Sequence, residues 1–85
     1  MREPIVVETR LGAAGELLPQ SFYWRGRRRL VFSHGRRWEQ AGQLHFLVQD
    51  DRQATYELAF DPVEARWSLL RSPQDFGGRG SQGRV

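Results

Sequence analysis

Apolar and polar side chains alternate with a period of two along most of this chain, and that alternation is the strongest constraint on its fold. The pattern runs from residue 21 to residue 70, and no helical stripe with a period of 3.6 residues competes with it. Strands that bury one face show this pattern, so the sequence predicts an antiparallel sheet with little helix. The predicted core face comprises Leu44, Phe46, Val48, Tyr56, Leu58, Phe60, Trp67 and Leu69.

The spacing between the alternating segments predicts how neighbouring strands pair. A four-residue loop in the last hairpin places Phe60 opposite Trp67, because directly paired residues share a face. A three-residue loop in the preceding hairpin places Phe46 opposite Leu58. Both loops together give three strands one continuous apolar face.

The first hairpin has two possible registers. A two-residue turn at 25–26 directs Arg29 and Val31 toward the core, whereas a three-residue loop directs Leu30 and Phe32 there. A slip of one residue exchanges the buried and exposed sides of a strand, so the two registers predict different cores.

Residues 1–71 are therefore predicted to form a single small β domain. An antiparallel meander of five or six short strands is expected, curled into a partly open barrel of SH3-like size, because a flat sheet that small is marginally stable. With 85 residues the chain is too short for a second domain. Residues 72–85 hold four of the nine glycines and only one aliphatic residue, so they are predicted to form a flexible tail containing Gly and Arg.

Composition excludes several classes of function. The chain has no Cys, and therefore no disulfide, thiolate nucleophile or cysteine zinc site. Its apolar runs of two or three residues are too short for a membrane span or a secretory signal, so a cytoplasmic location without a membrane partner is expected. His34 and His45 are predicted to lie on the surface. Without a catalytic or metal-binding group of residues, the chain is predicted not to be an enzyme and to need no cofactor.

Basic residues are concentrated in one segment. All 13 cationic side chains are Arg, and residues 21–37 carry six of them without an acid. Guanidinium groups bind phosphate oxygens, and nearby aromatic rings stack on unpaired bases. Alternatively, Trp24 belongs to the core and the arginines form a solvated hairpin with ion pairs to acids such as Glu39. The candidate nucleic-acid-binding residues are Tyr23, Arg25, Arg27, Arg28, Arg29, Arg36, Arg37 and Trp38.

Two classes of function fit these features. The first is a barrel that binds single- or double-stranded nucleic acid weakly through phosphates. The second is a protein-interaction or homodimerisation module without nucleic-acid contact. Aromatic side chains exposed among arginines favour the first class, whereas an apolar patch without Arg favours the second.

The three Trp residues are predicted to differ in exposure. Trp24 and Trp67 fall in phase with the apolar face, whereas Trp38 lies between Arg37 and Glu39. Trp38 is therefore expected to be the most accessible of the three, although it could instead plug the open end of the barrel.

The chain contains four short motifs: Ser21–Arg28 (SFYWRGRR), Trp38-Glu39, Tyr56-Glu57-Leu58 and Arg66–Leu69 (RWSL). Together they resemble a bacterial family of unknown function with the pattern F-x-W-R-G-R, a later W-x-E-like step, then Y-E-L and W-x-L. Members of that family occur as short free-standing proteins, and a similar segment ends the polymerase-like accessory subunit of mutagenic DNA-repair complexes. The resemblance covers about residues 20–70 and implies a bacterial protein associated with DNA repair.

The same resemblance bears on two details. Family members have an aromatic residue in place of Arg29 and a valine in line with Val31, which favours the two-residue turn. They usually have a Trp pair where Leu44 and His45 stand, so this chain departs from the family at a position that could otherwise form a binding platform.

Overall fold

Six strands form a closed antiparallel barrel in the computed structural model, which describes residues 2–76. Each strand pairs with its neighbour in sequence, which confirms the predicted all-β meander. The ring is closed rather than partly open, because Glu3–Ile5 of the first strand pair with Trp67–Leu69 of the last. The strands are β1 (Glu3–Leu11), β2 (Leu17–Trp24), β3 (Arg27–Gln40), β4 (Gln43–Asp50), β5 (Thr55–Asp61) and β6 (Arg66–Arg71).

Both registers predicted for the later hairpins are confirmed. Phe60 lies opposite Trp67 between β5 and β6, and Phe46 lies opposite Leu58 between β4 and β5. Gln53 has a φ of 64°, the left-handed conformation that ends a three-residue hairpin loop. Turn geometry and apolar alternation therefore specify the same pairing.

The first hairpin adopts the two-residue turn. Arg25 and Gly26 have φ values of 53° and 73°, as a type I′ turn requires. Val31 consequently packs against the core, whereas Leu30 and Phe32 are 45% and 80% exposed.

Strand β3 bends because it contains two bulges. Relative to β4, one extra β3 residue lies between Val31 and Ser33, and another lies between His34 and Arg37. Bulges increase the local twist and bend of a strand. The first part of this 14-residue strand therefore pairs with β2 and the second part with β4, which helps six short strands to close.

The core fills the barrel with aromatic and aliphatic side chains. Six of the eight predicted core residues are buried, and Leu44 and Phe60 pack against them while keeping part of their surface exposed. Phe22 and Trp24 add two rings from β2, which meet Tyr56 edge to face at centroid distances of 4.9 and 5.6 Å. The buried cluster comprises Phe22, Trp24, Phe46, Val48, Tyr56, Leu58, Trp67 and Leu69.

A short 3-10 turn at Pro73–Phe76 follows β6, at the start of the segment predicted as a tail. The backbone N–H of Ser72 donates to Asp75 Oδ2 at 2.8 Å, and the Arg71 guanidinium lies 4.3 Å from the centre of the Phe76 ring. The rest of the predicted tail, residues 77–85, lies outside the described residues. Within residues 2–76 no helix is long and apolar enough to cross a membrane.

Candidate nucleic-acid interface

The tip of the β2–β3 hairpin, which we define as residues 25–28, contains three exposed arginines. Arg25 lies in the turn, and Arg27 and Arg28 begin β3. Arg28 pairs across the strands with Tyr23, which is 45% exposed on the outer wall of the barrel. The hairpin tip therefore presents guanidinium groups beside an accessible aromatic ring.

Arg25 and Arg27 have no ion-pair partner among residues 2–76. The Arg25 guanidinium lies 4.5 Å from the centre of the Trp24 ring, where a cation–π contact orients it. A guanidinium held in this way keeps donors for phosphate oxygens.

Arg28 forms the only ion pair of the hairpin tip that the described residues contain. Its side chain lies 2.9 Å from Glu8 Oε1, and both side chains are about half exposed. The pKa of Glu8 is lowered most by the hydrogen bond from Ser21 and next by the hydrogen bond from Arg28, and together they outweigh the effect of desolvation. Exposed ion pairs contribute little net stability, so Arg28 can exchange Glu8 for a phosphate at low cost.

Arg29 is separated from the exposed arginines because it points toward the end of the core. It lies opposite Phe22, and its guanidinium donates to the Trp24 carbonyl oxygen at 3.2 Å. The same guanidinium lies 5.2 Å from the centre of the Trp24 ring. This predicted site residue is half-buried, and its donors are directed at the barrel rather than at the outer surface.

Arg36, Arg37 and Trp38 form a second group toward the other end of β3. Arg37 lies nine positions after Arg28, which corresponds to at most about 30 Å of extended strand. Arg36 lies 4.9 Å from the centre of the Trp38 ring, and Arg37 lies 5.9 Å from that of Phe46. The predicted residues therefore form two basic groups rather than one continuous stripe.

Trp38 is the most accessible of the three Trp residues, as predicted. It is half-buried on the outer wall, whereas Trp24 and Trp67 are only 6% and 9% exposed. The His45 ring stacks on the indole at 5.1 Å with an interplanar angle of 16°, and Trp38 Nε1 donates to Gln40 at 3.2 Å. Because His45 covers one face of the indole, only the other face is open to stack on a base.

Sequence reasoning missed a cluster of ionisable side chains on the outer wall. Glu57, which is 7% exposed, accepts a 2.6 Å hydrogen bond from Arg71 Nε on one oxygen and lies 2.9 Å from His45 Nδ1 on the other. We call His45, Glu57 and Arg71 the outer-wall cluster. It borders a cavity of about 370 Å³ that Arg2 and Gln43 also line.

The surface position predicted for His45 is wrong, whereas His34 is exposed as predicted. His45 does point away from the core, but the stacked Trp38 ring and its contact with Glu57 leave it 6% exposed. Only the register between β3 and β4 would have predicted this burial, and the β3 bulges hide that register from the alternation pattern. Within residues 2–76 no three His, Cys, Asp or Glu side chains could hold a metal ion.

Comparisons with family models, curated proteins and solved structures find no match to this chain. Its candidate site is therefore interpreted from its own geometry.

Proposed function

We propose that this protein is a non-enzymatic β-barrel domain that binds nucleic acid weakly through phosphates at the hairpin tip. The observation that carries the proposal is the exposure of Arg25, Arg27 and Arg28 within the four residues of one hairpin tip, beside Tyr23. Six arginines without an acid in residues 21–37 produce a local positive field that the formal net charge of +3 understates.

Release of counterions supplies most of the affinity in this mode of binding. If the three arginines of the hairpin tip reach phosphates, log K falls against log salt with a slope of about −2 to −3. Phosphate contacts carry no base information, so oligonucleotides of different sequence should bind alike. Tyr23 can add a stacking contact to single strands.

A salt-titrated binding assay with single- and double-stranded oligonucleotides tests the proposal. The informative variant is Arg25→Asn with Arg27→Gln, which removes two unpaired charges while Asn-Gly keeps the preferred type I′ turn. We expect weaker binding to every oligonucleotide and a salt slope smaller in magnitude by about 1.5 to 2.

The matched control is Arg2→Gln with Arg66→Gln, which removes two charges at the opposite end of the barrel, beside Gln43 and Asp61. This control should retain most of the affinity. Equal losses in both double variants would show that only total charge matters and would contradict binding at the hairpin tip. Absence of binding at about 50 mM salt and tens of micromolar protein would reject nucleic-acid binding, because this mode has no other source of affinity.

The resemblance to a segment of DNA-repair complexes supports DNA as the nucleic acid that this protein binds. It also supports binding in the cytoplasm, at sites of DNA repair. Competition between DNA and RNA oligonucleotides of equal length and charge tests this choice. A preference for RNA would contradict it.

A further inference from the structure

The second half of β1 has a free edge. Residues 3–5 of β1 pair with β6, but from Val6 to Leu11 the strand pairs with β2 on one side and with no strand of residues 2–76 on the other. Alternate residues of this segment direct their N–H and C=O groups away from β2. A free edge of this kind is a template for another extended strand, and we call residues 6–11 the β1 edge.

A groove beside the β1 edge leaves room for an added strand. Its volume is about 810 Å³, and its lining includes Val7, Glu64, Ala65 and Trp67. Leu11 is 70% exposed at the other end of the edge. An added strand would bury this apolar surface as well as satisfy the backbone groups.

The charges of the β1 edge are complementary to those of a second copy of the same edge. If two copies run antiparallel with Thr9 opposite Thr9, Glu8 of each lies opposite Arg10 of the other, and Val7 lies opposite Leu11. Opposite charges in directly paired positions stabilise a sheet, whereas like charges would keep the copies apart. The two-fold axis makes each of these contacts twice.

The intramolecular contacts leave one oxygen of Glu8 and the guanidinium of Arg10 available for this pairing. Ser21 and Arg28 both contact Oε1 of Glu8, and no contact within residues 2–76 involves Oε2. Arg10 is exposed and has no ion pair within the same residues.

We propose that the β1 edge is a homodimer interface, with β1 strands of two copies paired antiparallel about a two-fold axis at Thr9. The dimer joins the three-stranded β1–β2–β3 sheets of the two copies into one sheet. It also places Leu11 of the second copy in the groove beside Val7. The β1 edge contributes only six residues of each copy to this dimer, so we expect weak association with a dissociation constant of roughly 10–100 µM. Dimer formation does not require nucleic-acid binding.

Disulfide trapping tests the register directly, because the natural chain contains no Cys. Opposing residues of an antiparallel pair have Cα atoms about 4.5–5.5 Å apart, within the range that a disulfide spans. Thr9→Cys should form a covalent dimer in mild oxidant much faster than the control Arg52→Cys in the β4–β5 loop. Val7→Cys mixed with Leu11→Cys should crosslink faster than either variant alone.

Sedimentation equilibrium of the full chain tests the energetics. Arg10→Glu places a carboxylate opposite Glu8 of the second copy and should weaken dimerisation about tenfold, because two attractive pairs become repulsive. The control Arg52→Glu makes the same charge change outside the interface and should leave dimerisation unchanged. A monomer at about 1 mM protein, equal effects of both variants, or equal crosslinking of Thr9→Cys and Arg52→Cys would each overturn the proposal.

Discussion

The hydroxyl group of Tyr56 donates a 2.8 Å hydrogen bond to Oδ2 of Asp50 and so connects the core to the β4–β5 loop. Oδ1 of Asp50 accepts the backbone N–H groups of Arg52 and Ala54 at 2.8 and 3.0 Å. Burial alone would raise the pKa of Asp50, but these three hydrogen bonds and the charge of Arg29 outweigh it and hold that pKa below its ordinary value. The charged form of Asp50 is thus stabilised in the folded protein.

Acid should destabilise the protein partly through Asp50. Because the folded state lowers its pKa, the contribution of Asp50 is complete above the unfolded pKa of about 3.9 and is lost as the pH falls through the folded value. Asp50→Asn should therefore lower stability at neutral pH and flatten the decline in acid. Urea unfolding at a series of pH values measures both effects, and an unchanged acid slope would contradict the role of Asp50.

Alkali should destabilise the protein through Tyr56. Burial, followed by the hydrogen bond to Asp50, raises the pKa of Tyr56 to about 12. The folded state favours the protonated phenol, so its contribution is complete below the unfolded pKa of about 10 and is lost as the pH rises through about 12. The total loss is about 3 kcal/mol, from about 1.4 kcal/mol per pKa unit. In Tyr23→Phe, tyrosinate absorbance should appear only near the higher pKa, and a transition near pH 10 would contradict this.

Two phenylalanines test the assignment of the core. Phe46 is 2% exposed and packs against Trp67 at a centroid distance of 5.5 Å, whereas Phe32 is 80% exposed. Phe46→Ala should cost about 3 to 5 kcal/mol of unfolding free energy because it leaves a cavity. Phe32→Ala should change stability by less than about 0.5 kcal/mol. Chemical denaturation distinguishes the two, and similar costs would contradict the register of the first hairpin.

Acrylamide quenching should rank the three Trp residues. Variants that retain a single Trp isolate each indole, and quenching should be strongest for Trp38 because Trp24 and Trp67 are buried. His45→Ala should increase quenching of Trp38 further, because it uncovers one face of the ring. Stronger protection of Trp38 than of Trp67 would show that the outer wall is covered in solution.

The outer-wall cluster should contribute to stability through the charge on Glu57. Arg71→Leu leaves this buried carboxylate with only His45 as a side-chain partner and should cost about 1 to 3 kcal/mol, since Arg71 is partly solvated. Glu57→Gln should recover part of the loss in the Arg71→Leu background, because it removes the buried charge. A double variant less stable than Arg71→Leu alone would contradict this interpretation. Thermal unfolding of the natural protein, the two single variants and the double variant gives the four stabilities of this double-mutant cycle.

Local pattern was sufficient for much of the fold. Apolar residues such as Phe46 and Leu58 alternate in phase on both sides of a loop of specific length, so pairing and burial follow from the spacing alone. Position 31 was undecided because both turn lengths bury apolar side chains. The left-handed conformations of Arg25 and Gly26 decided it in favour of Val31.

The candidate site was less predictable because it depends on contacts between distant strands. The sequence identified the arginines but could not separate the exposed ones from Arg29, which becomes half-buried only when it packs against Trp24 of β2. His45 was assigned to the surface because strand alternation describes only the direction of a side chain. The stacked ring of Trp38 and the carboxylate of Glu57 determine its burial.

The sequence by itself determined the strand class, the two later hairpins and the basic character of residues 21–37, because these properties depend on periodicity and on charges that are close in sequence. Only the tertiary structure decided the closure of the ring and the two β3 bulges. These features depend on how far each strand extends past its neighbours when the sheet curls around its core. Strand overlap is a property of the closed barrel and is not encoded in the pattern of any one segment.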